Sequence, residues 1–116
     1  MELKFDKIGN VLKISVSGRL VAACSEEFKE TVSGWLGENR FLLFDLAGMS
    51  HIDSSGLGVL VYILQKANAQ EGAVKLACLQ PRPRIVFDIT KVYRIFEIFD
   101  SIDAALASFE ADSKQG

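Results

Sequence analysis

The sequence predicts an α/β fold: one domain with a mixed, mostly parallel central sheet of about five strands, about four helices and an N-terminal β-hairpin. Three observations predict it. Apolar residues alternate near the N-terminus, two later apolar runs are long enough only for buried strands, and helical patterns separate the strands. Parallel neighbours need such crossovers. The chain of 116 residues has room for one domain, which we assign to 1–112, with 113–116 expected to fray.

The first elements are a hairpin and a helix. Apolar residues recur at alternate positions on both sides of Gly9-Asn10, which is typical of two antiparallel strands joined by a tight turn. The stretch SEEFKETVSGWLGE, 25–38, has helical spacing. We expect Ser25 to be its N-cap, Glu26 and Glu27 to lie in its first turn, and Gly37 to end it.

The middle of the chain predicts a buried strand and a long helix. FLLFDLAGM, 41–49, is too apolar for a half-exposed strand and too short for a good helix, so it indicates a central strand covered on both faces. The apolar run from Leu57 to Ile63 continues into the helix formers LQKANAQEG and ends at Gly72. Together these residues predict one helix of roughly four turns.

The last part of the chain repeats this alternation. AVKLACL, 73–79, indicates a strand, and Pro81 and Pro83 then precede a helix. The stripe predicted to be buried on that helix is Ile85, Ile89 and Val92. RIFEIF, 94–99, alternates as a strand does, and SIDAALASFEAD, 101–112, indicates a final helix whose N-cap is serine.

Composition and charge exclude several classes of function. The chain is 49% hydrophobic, carries a net charge of −2 and has no basic run interleaved with aromatics, which argues against nucleic-acid binding. The charged N-terminus lacks a secretory signal and no segment reaches the ~18 apolar residues of a membrane span, so we expect a cytoplasmic protein without membrane insertion. Cys24 and Cys78 are expected to be free thiols, and a single histidine leaves no zinc site. We expect no cofactor.

The most informative segment is Asp53-Ser54-Ser55-Gly56, which lies where a buried strand ends and a helix begins. Asp and Ser are preferred N-cap residues, and this structural role is the more frequent one. The same free backbone N–H groups and the positive end of the helix dipole also stabilise anions. A phosphorylated serine here would cap its own helix and repel a nearby acidic surface.

Gly56 and Gly58 leave the start of this helix unshielded, at a cost of roughly 1 kcal/mol each relative to Ala. Close approach of another backbone is one explanation for the pair. Tight packing of helix against sheet is an equally good explanation for Gly58.

The segment FDLAGMSHIDSSGLGVLV resembles the signature of the STAS domain family, specifically of its bacterial anti-sigma factor antagonists. SGRL before the first helix and ITKVYRIFEIFDSIDAAL near the end resemble the corresponding family segments, so the resemblance covers nearly the whole chain. It implies a STAS-like fold and a switch without enzymatic activity. Unphosphorylated antagonists bind an anti-sigma factor that is also a serine kinase, which releases a sigma factor, and a metal-dependent serine phosphatase reverses the phosphorylation.

The resemblance also implies roles for particular residues. The residue modified in the family falls on Ser54, with Ser55 as the alternative, and Asp53, Gly56 and Gly58 support the site. We expect partner contacts from three more residues: Leu57, Arg19 and His51. The structural alternative for Leu57 is a place in the core.

One departure from the family pattern concerns kinase recognition. Gly18-Arg19-Leu20-Val21 stands where members often have Gly-Glu-Leu-Asp, so an acidic residue near the site is replaced by Val21. Arg19 is either a solvated charge at the end of a strand or a partner for a neighbouring anion.

Three alternatives from other classes remain. A serine hydrolase needs a general base, and His51 is the only histidine, without an evident orienting acid. Nucleotide binding is suggested weakly by Gly56-x-Gly58, which completes no phosphate-loop motif. A scaffold STAS domain, docking within a larger signalling or transport complex, would use Ser54 only as a cap.

Overall fold

The computed structural model describes the backbone of Met1–Gln115 and the side chains of residues 1–112, so the expected fraying of 113–116 concerns side chains outside the described residues. The strands are β1 (Glu2–Ile8), β2 (Val11–Leu20), β3 (Phe41–Ile52), β4 (Ala73–Ala77) and β5 (Glu97–Phe99). The helices are α1 (Ala22–Leu36), α2 (Ser54–Ala69), α3 (Pro81–Thr90) and α4 (Ile102–Gln115), with a 3-10 turn at Val92–Arg94.

The five strands form one sheet in the order β1-β2-β3-β4-β5, which confirms the predicted mixed architecture. β1 and β2 are antiparallel, and all later pairs are parallel. Gly9, with φ of +60°, opens the two-residue hairpin turn, where a positive φ suits the twist of the strands. The parallel order places the carboxyl ends of β2, β3 and β4, and the helix starts that follow them, at one edge of the sheet.

Each face of the sheet carries its own core, as the apolar character of 41–49 predicts. Side chains at even positions of β3, such as Leu42 and Phe44, pack with α1, α2 and α3. Leu43, between them, packs on the opposite face with Ala105 and Phe109 of α4. The central strand is therefore covered on both sides, three helices on one and a single helix on the other.

The start of α1 differs from the sequence prediction. The helix begins at Ala22 rather than after Ser25, and extended Val21 is its N-cap residue without a side-chain hydrogen bond. Ser25 lies buried inside the first turn, where its hydroxyl donates to the carbonyl of Ala22 (3.2 Å). Neither Glu26 nor Glu27 therefore lies in the first turn.

The buried stripe predicted for α3 is also wrong. Ile85 and Ile89 are 57% and 75% exposed, and the helix buries Pro83 and Phe87 instead. Phe87 anchors the helix because its ring packs edge-on against Phe96, with centroids 6.4 Å apart. The 3-10 turn at Val92–Arg94 occupies half of the predicted strand 94–99, of which only Glu97–Phe99 pairs with β4.

Lys75 is a buried charge that sequence periodicity did not reveal. It lies in the middle of β4, and its side chain is 2% exposed. The ammonium bonds to the carboxylates of Glu97 (2.9 Å) and Asp112 (2.5 Å) and to the hydroxyl of Ser108 (2.5 Å). It also lies 4.8 Å from the ring centroid of Phe109. These contacts hold the later part of α4 against β4 and β5.

We expect Glu97→Gln combined with Asp112→Asn to lower the free energy of unfolding by about 2–3 kcal/mol. The double change leaves a buried ammonium without counter-ions, and the value is below the range for a fully buried pair because both carboxylates are more than half exposed. In a Lys75→Met background the same double change should cost less than about 1 kcal/mol. Chemical denaturation of the four proteins measures this coupling, and equal losses in both backgrounds would contradict it.

Candidate functional site

The carboxylate of Asp53 joins the starts of two helices. Its backbone is extended (φ −117°, ψ −175°) and precedes α2 as the N-cap residue. One oxygen, Oδ1, accepts a hydrogen bond from the N–H of Gly56 in α2 (3.0 Å). The other, Oδ2, accepts one from the N–H of Ala22 at the start of α1 (3.0 Å). The capping that Val21 cannot supply to α1 therefore comes from Asp53, 31 residues away.

These hydrogen bonds set the protonation of Asp53. The bond from the Gly56 N–H is the main influence and lowers the pKa of the carboxyl from its ordinary value of 3.8. Partial burial acts in the opposite direction, and the Ala22 N–H lowers the pKa further. The carboxylate is thus charged at neutral pH, with both oxygens occupied by the fold itself.

Ser54 and Ser55 occupy the first two positions of α2, and both are exposed. The structure places Ser54 next to the fixed Asp53 carboxylate in sequence and at the positive end of the helix dipole. Its hydroxyl is accessible to a modifying enzyme without unfolding of the helix.

The two glycines have different roles. Gly56 is buried, and a Cβ there would overlap the carbonyl oxygen of Leu20 and approach the Leu20 Cγ to 2.8 Å. Gly58 is exposed, and a Cβ there would meet nothing within 4 Å. Packing of helix against sheet therefore explains Gly56 and does not explain Gly58.

Arg19 and His51 lie side by side, since they are register partners at the ends of β2 and β3. His51 Nδ1 lies 2.9 Å from the hydroxyl of Ser50, which donates to the carbonyl of Gly18 (3.2 Å). Arg82, at the start of α3, places Nη1 3.1 Å from His51 Nε2. An arginine donor requires His51 to accept through Nε2 and hence to donate through Nδ1 to Ser50. Sequence reasoning missed Arg82 because nothing local relates it to a residue 31 positions earlier.

The side chain of Leu57 belongs to the core rather than to the surface. It is 4% exposed and packs in the cluster beneath α1, α2 and α3. Its structural alternative therefore describes what the fold does with it. The neighbouring half-buried Tyr62 has Lys29 above its ring, 4.3 Å from the centroid.

Cys24 and Cys78 are both free, as expected. Within the part of the chain that the structure describes, no group of three or more His, Cys, Asp or Glu side chains has the arrangement of a metal site. None of the helices described is both long and apolar enough to cross a membrane.

Comparison with known families decides what kind of domain this is. The sequence profile of the STAS domain matches residues 2–105 of the chain. The chain belongs to the STAS domain family. The match includes the whole sheet and the Asp53-Ser54 turn, and it confirms the family that the sequence signature indicated.

Individual STAS relatives agree in fold and in description. BtrV of Bordetella bronchiseptica, described as a candidate anti-sigma factor antagonist, is 31% identical over 112 residues, covering 95% of this chain and 96% of its own. A crystal structure of a candidate anti-sigma factor antagonist from Thermotoga maritima superposes with a TM-score of 0.87 at 23% identity, over 91% of this chain and 92% of the other. Phosphorylated SpoIIAA of Bacillus gives a TM-score of 0.73 at 18% identity, over 93% and 99%.

We expect Gly56→Ala and Gly58→Ala to change stability in opposite directions. Gly56→Ala should lower the free energy of unfolding by about 2–3 kcal/mol, because its Cβ meets the backbone of β2. Gly58→Ala should raise it by about 0.5–1 kcal/mol, because helix propensity improves and space is open. Urea denaturation of this matched pair tests both, and similar losses in the two variants would show that Gly58 also packs within the fold.

The caps made by Asp53 should make stability depend on pH. Because folding lowers the pKa of this carboxyl, its contribution is present above its unfolded pKa and is lost as the pH falls through the folded value. Asp53→Ala should therefore cost about 1–2 kcal/mol at pH 7, and the difference from wild type should shrink below about pH 4.

The measurement is chemical denaturation of both proteins between pH 7 and pH 2.5. Asp6→Ala, which removes an exposed carboxylate from edge strand β1, is the control for a general change of charge. A deficit of Asp53→Ala that stays constant over the whole pH range would contradict the assignment of the caps to the ionised carboxylate.

Proposed function

We propose that this STAS domain is an anti-sigma factor antagonist whose binding is switched by phosphorylation of Ser54. Its unphosphorylated form binds an anti-sigma factor that is also a serine kinase, and this releases the sigma factor. A metal-dependent serine phosphatase restores the binding form. The domain acts in the cytoplasm as a binding protein rather than as an enzyme. The single observation that carries the proposal is an exposed serine beside a carboxylate that the fold holds in place.

A phosphate on Ser54 is compatible with the fold. It would lie at the first position of α2, where free backbone N–H groups and the helix dipole favour negative charge. The modification adds about −1.5 to −2 charges at neutral pH. Its principal effect is therefore expected on whatever approaches this surface, with little effect on the helix.

Asp53 makes the added charge act outward. Both of its oxygens are bonded to the starts of α1 and α2, so the carboxylate cannot turn away without losing both caps. A phosphoserine beside it concentrates negative charge on one small surface. An acidic partner surface docked there is repelled, because like charges brought together at an interface cost several kcal/mol.

Ser54 is preferred over Ser55 by its family position and by its place directly after Asp53. Both hydroxyls are exposed, so accessibility alone does not separate them. The open space around Gly58, one turn along α2, fits the close approach of a kinase or of a binding partner.

We expect Ser54→Asp to weaken binding to the anti-sigma factor at least tenfold, about 1.4 kcal/mol, while Ser54→Ala keeps the affinity and abolishes the switch. Phosphopeptide mapping of the protein from growing and stressed cells identifies the site, and calorimetry with the purified anti-sigma factor measures binding. Gln65→Glu, which adds one negative charge on the exposed later half of α2, is the control.

Wild-type affinity in Ser54→Asp would contradict the repulsion mechanism. Phosphate on Ser55 alone would move the switch by one residue. Absence of phosphate under every condition would favour a scaffold STAS domain that docks in a larger complex and uses Ser54 only as a cap. Hydrolysis of an activated ester that Ser54→Ala abolishes, or heat on adding GTP or ATP, would favour the enzyme or nucleotide-binding alternative.

A further inference from the structure

Four large apolar side chains lie exposed on α3 and on the turn that follows it. Ile85 and Ile89 of α3 are 57% and 75% exposed, and Tyr93 and Ile95 are 45% and 52% exposed. We call these four residues the α3 surface. Their exposure is a consequence of the anchoring of α3 by Phe87, which directs the isoleucines at 85 and 89 away from the core. Neighbouring exposed apolar side chains on a folded domain commonly mark an interaction surface.

Basic residues surround the α3 surface. The segment 81–95 contains Arg82, Arg84, Lys91 and Arg94 against a single acidic residue, Asp88, so it carries +3 in a chain of net charge −2. None of these four basic side chains forms a salt bridge with any residue whose side chain is described. The charge available for pairing is therefore positive, which fits an acidic partner with apolar side chains of its own.

The α3 surface is continuous with the candidate switch. Arg82 at the start of α3 contacts His51, which lies two residues before Asp53. Gln80, the N-cap residue of α3, donates to the carbonyl of Ala47 in β3. At its other end, Ile95 and Leu64 of α2 line a common cleft. One protein could therefore cover the start of α2 and the α3 surface together.

We propose that the α3 surface is a second contact area for the same protein that binds at Ser54, and that it receives an acidic, partly apolar face of that protein. This inference rests on the proposed function. The α3 surface supplies affinity that does not change with phosphorylation, and the Ser54 surface supplies the switch. An anionic membrane is a poorer fit, because the exposed Asp88 lies on the same helix face as Ile85 and Ile89 and would approach the lipid head groups.

The test begins in the protein's own cells with a photo-crosslinking residue, p-benzoyl-L-phenylalanine, in place of Ile89, of Gly58 or of Ile8. Ile8 is the control because it is an apolar residue, 38% exposed, at the hairpin turn. We expect positions 89 and 58 to crosslink to one and the same protein and position 8 not to crosslink to it. The peptide crosslinked at position 89 should be rich in Asp and Glu.

That protein is then purified and its affinity measured. Ile89→Ser and Arg94→Glu should each weaken binding about tenfold or more, and Ile8→Ser less than about twofold. Raised salt should weaken wild-type binding more than binding of Arg94→Glu. Both variants are checked by circular dichroism, and their exposed positions leave the core intact.

The outcomes separate this inference from the proposed function. Crosslinking from position 58 alone, or unchanged affinity in Ile89→Ser and Arg94→Glu, overturns the inference and leaves the switch at Ser54 in place. A different protein crosslinked at position 89 overturns it as well. Binding to phosphatidylglycerol vesicles that Ile89→Ser abolishes, without a crosslinked protein, assigns the surface to a membrane. Loss of the Ser54→Asp effect, with position 89 still crosslinked to an acidic protein, overturns the proposed switch alone.

Discussion

The structure of the candidate site depends on one carboxylate with two hydrogen bonds. Asp53 follows the end of the central strand and binds the first N–H group of α1 and the third of α2. Two helices that leave neighbouring strands are thereby held at a fixed spacing. Without a side-chain cap from Val21, α1 has this contact as its capping interaction. The same residue thus fixes local structure and sets the charge beside the exposed serine.

Close packing completes the arrangement that the carboxylate begins. Gly56 lets the first turn of α2 rest on the carbonyl of Leu20, so the helix starts deep in the edge of the sheet. Ser54 is left on the outside of that turn, and the next turn is bare at Gly58. The site is therefore rigid on its inner side and open on its outer side, which suits a modification read by another protein rather than by a change of shape.

Local pattern predicted much of this structure, and long-range contacts account for what it missed. The hairpin, the doubly covered strand and the helix after Asp53 follow from periodicity and turn residues alone. The start of α1 did not, because its cap comes from Asp53 and not from a neighbour. In α3, Ile85 and Ile89 have the spacing of a buried stripe, but Phe87 packs against Phe96 and reverses the faces. Lys75 and Arg82 were invisible for the same reason, since their partners are distant in sequence.

The position of α4 determines how the molecule can be handled. A cleft of about 280 Å³ is lined by residues of the hairpin turn, by Phe41 at the start of β3 and by Phe109 and Glu110. The later part of α4 therefore lies at the amino ends of the parallel strands, across the sheet from Ser54. A tag or a neighbouring domain joined after α4 leaves from the far edge, so the protein can be immobilised by that end with the serine facing solution.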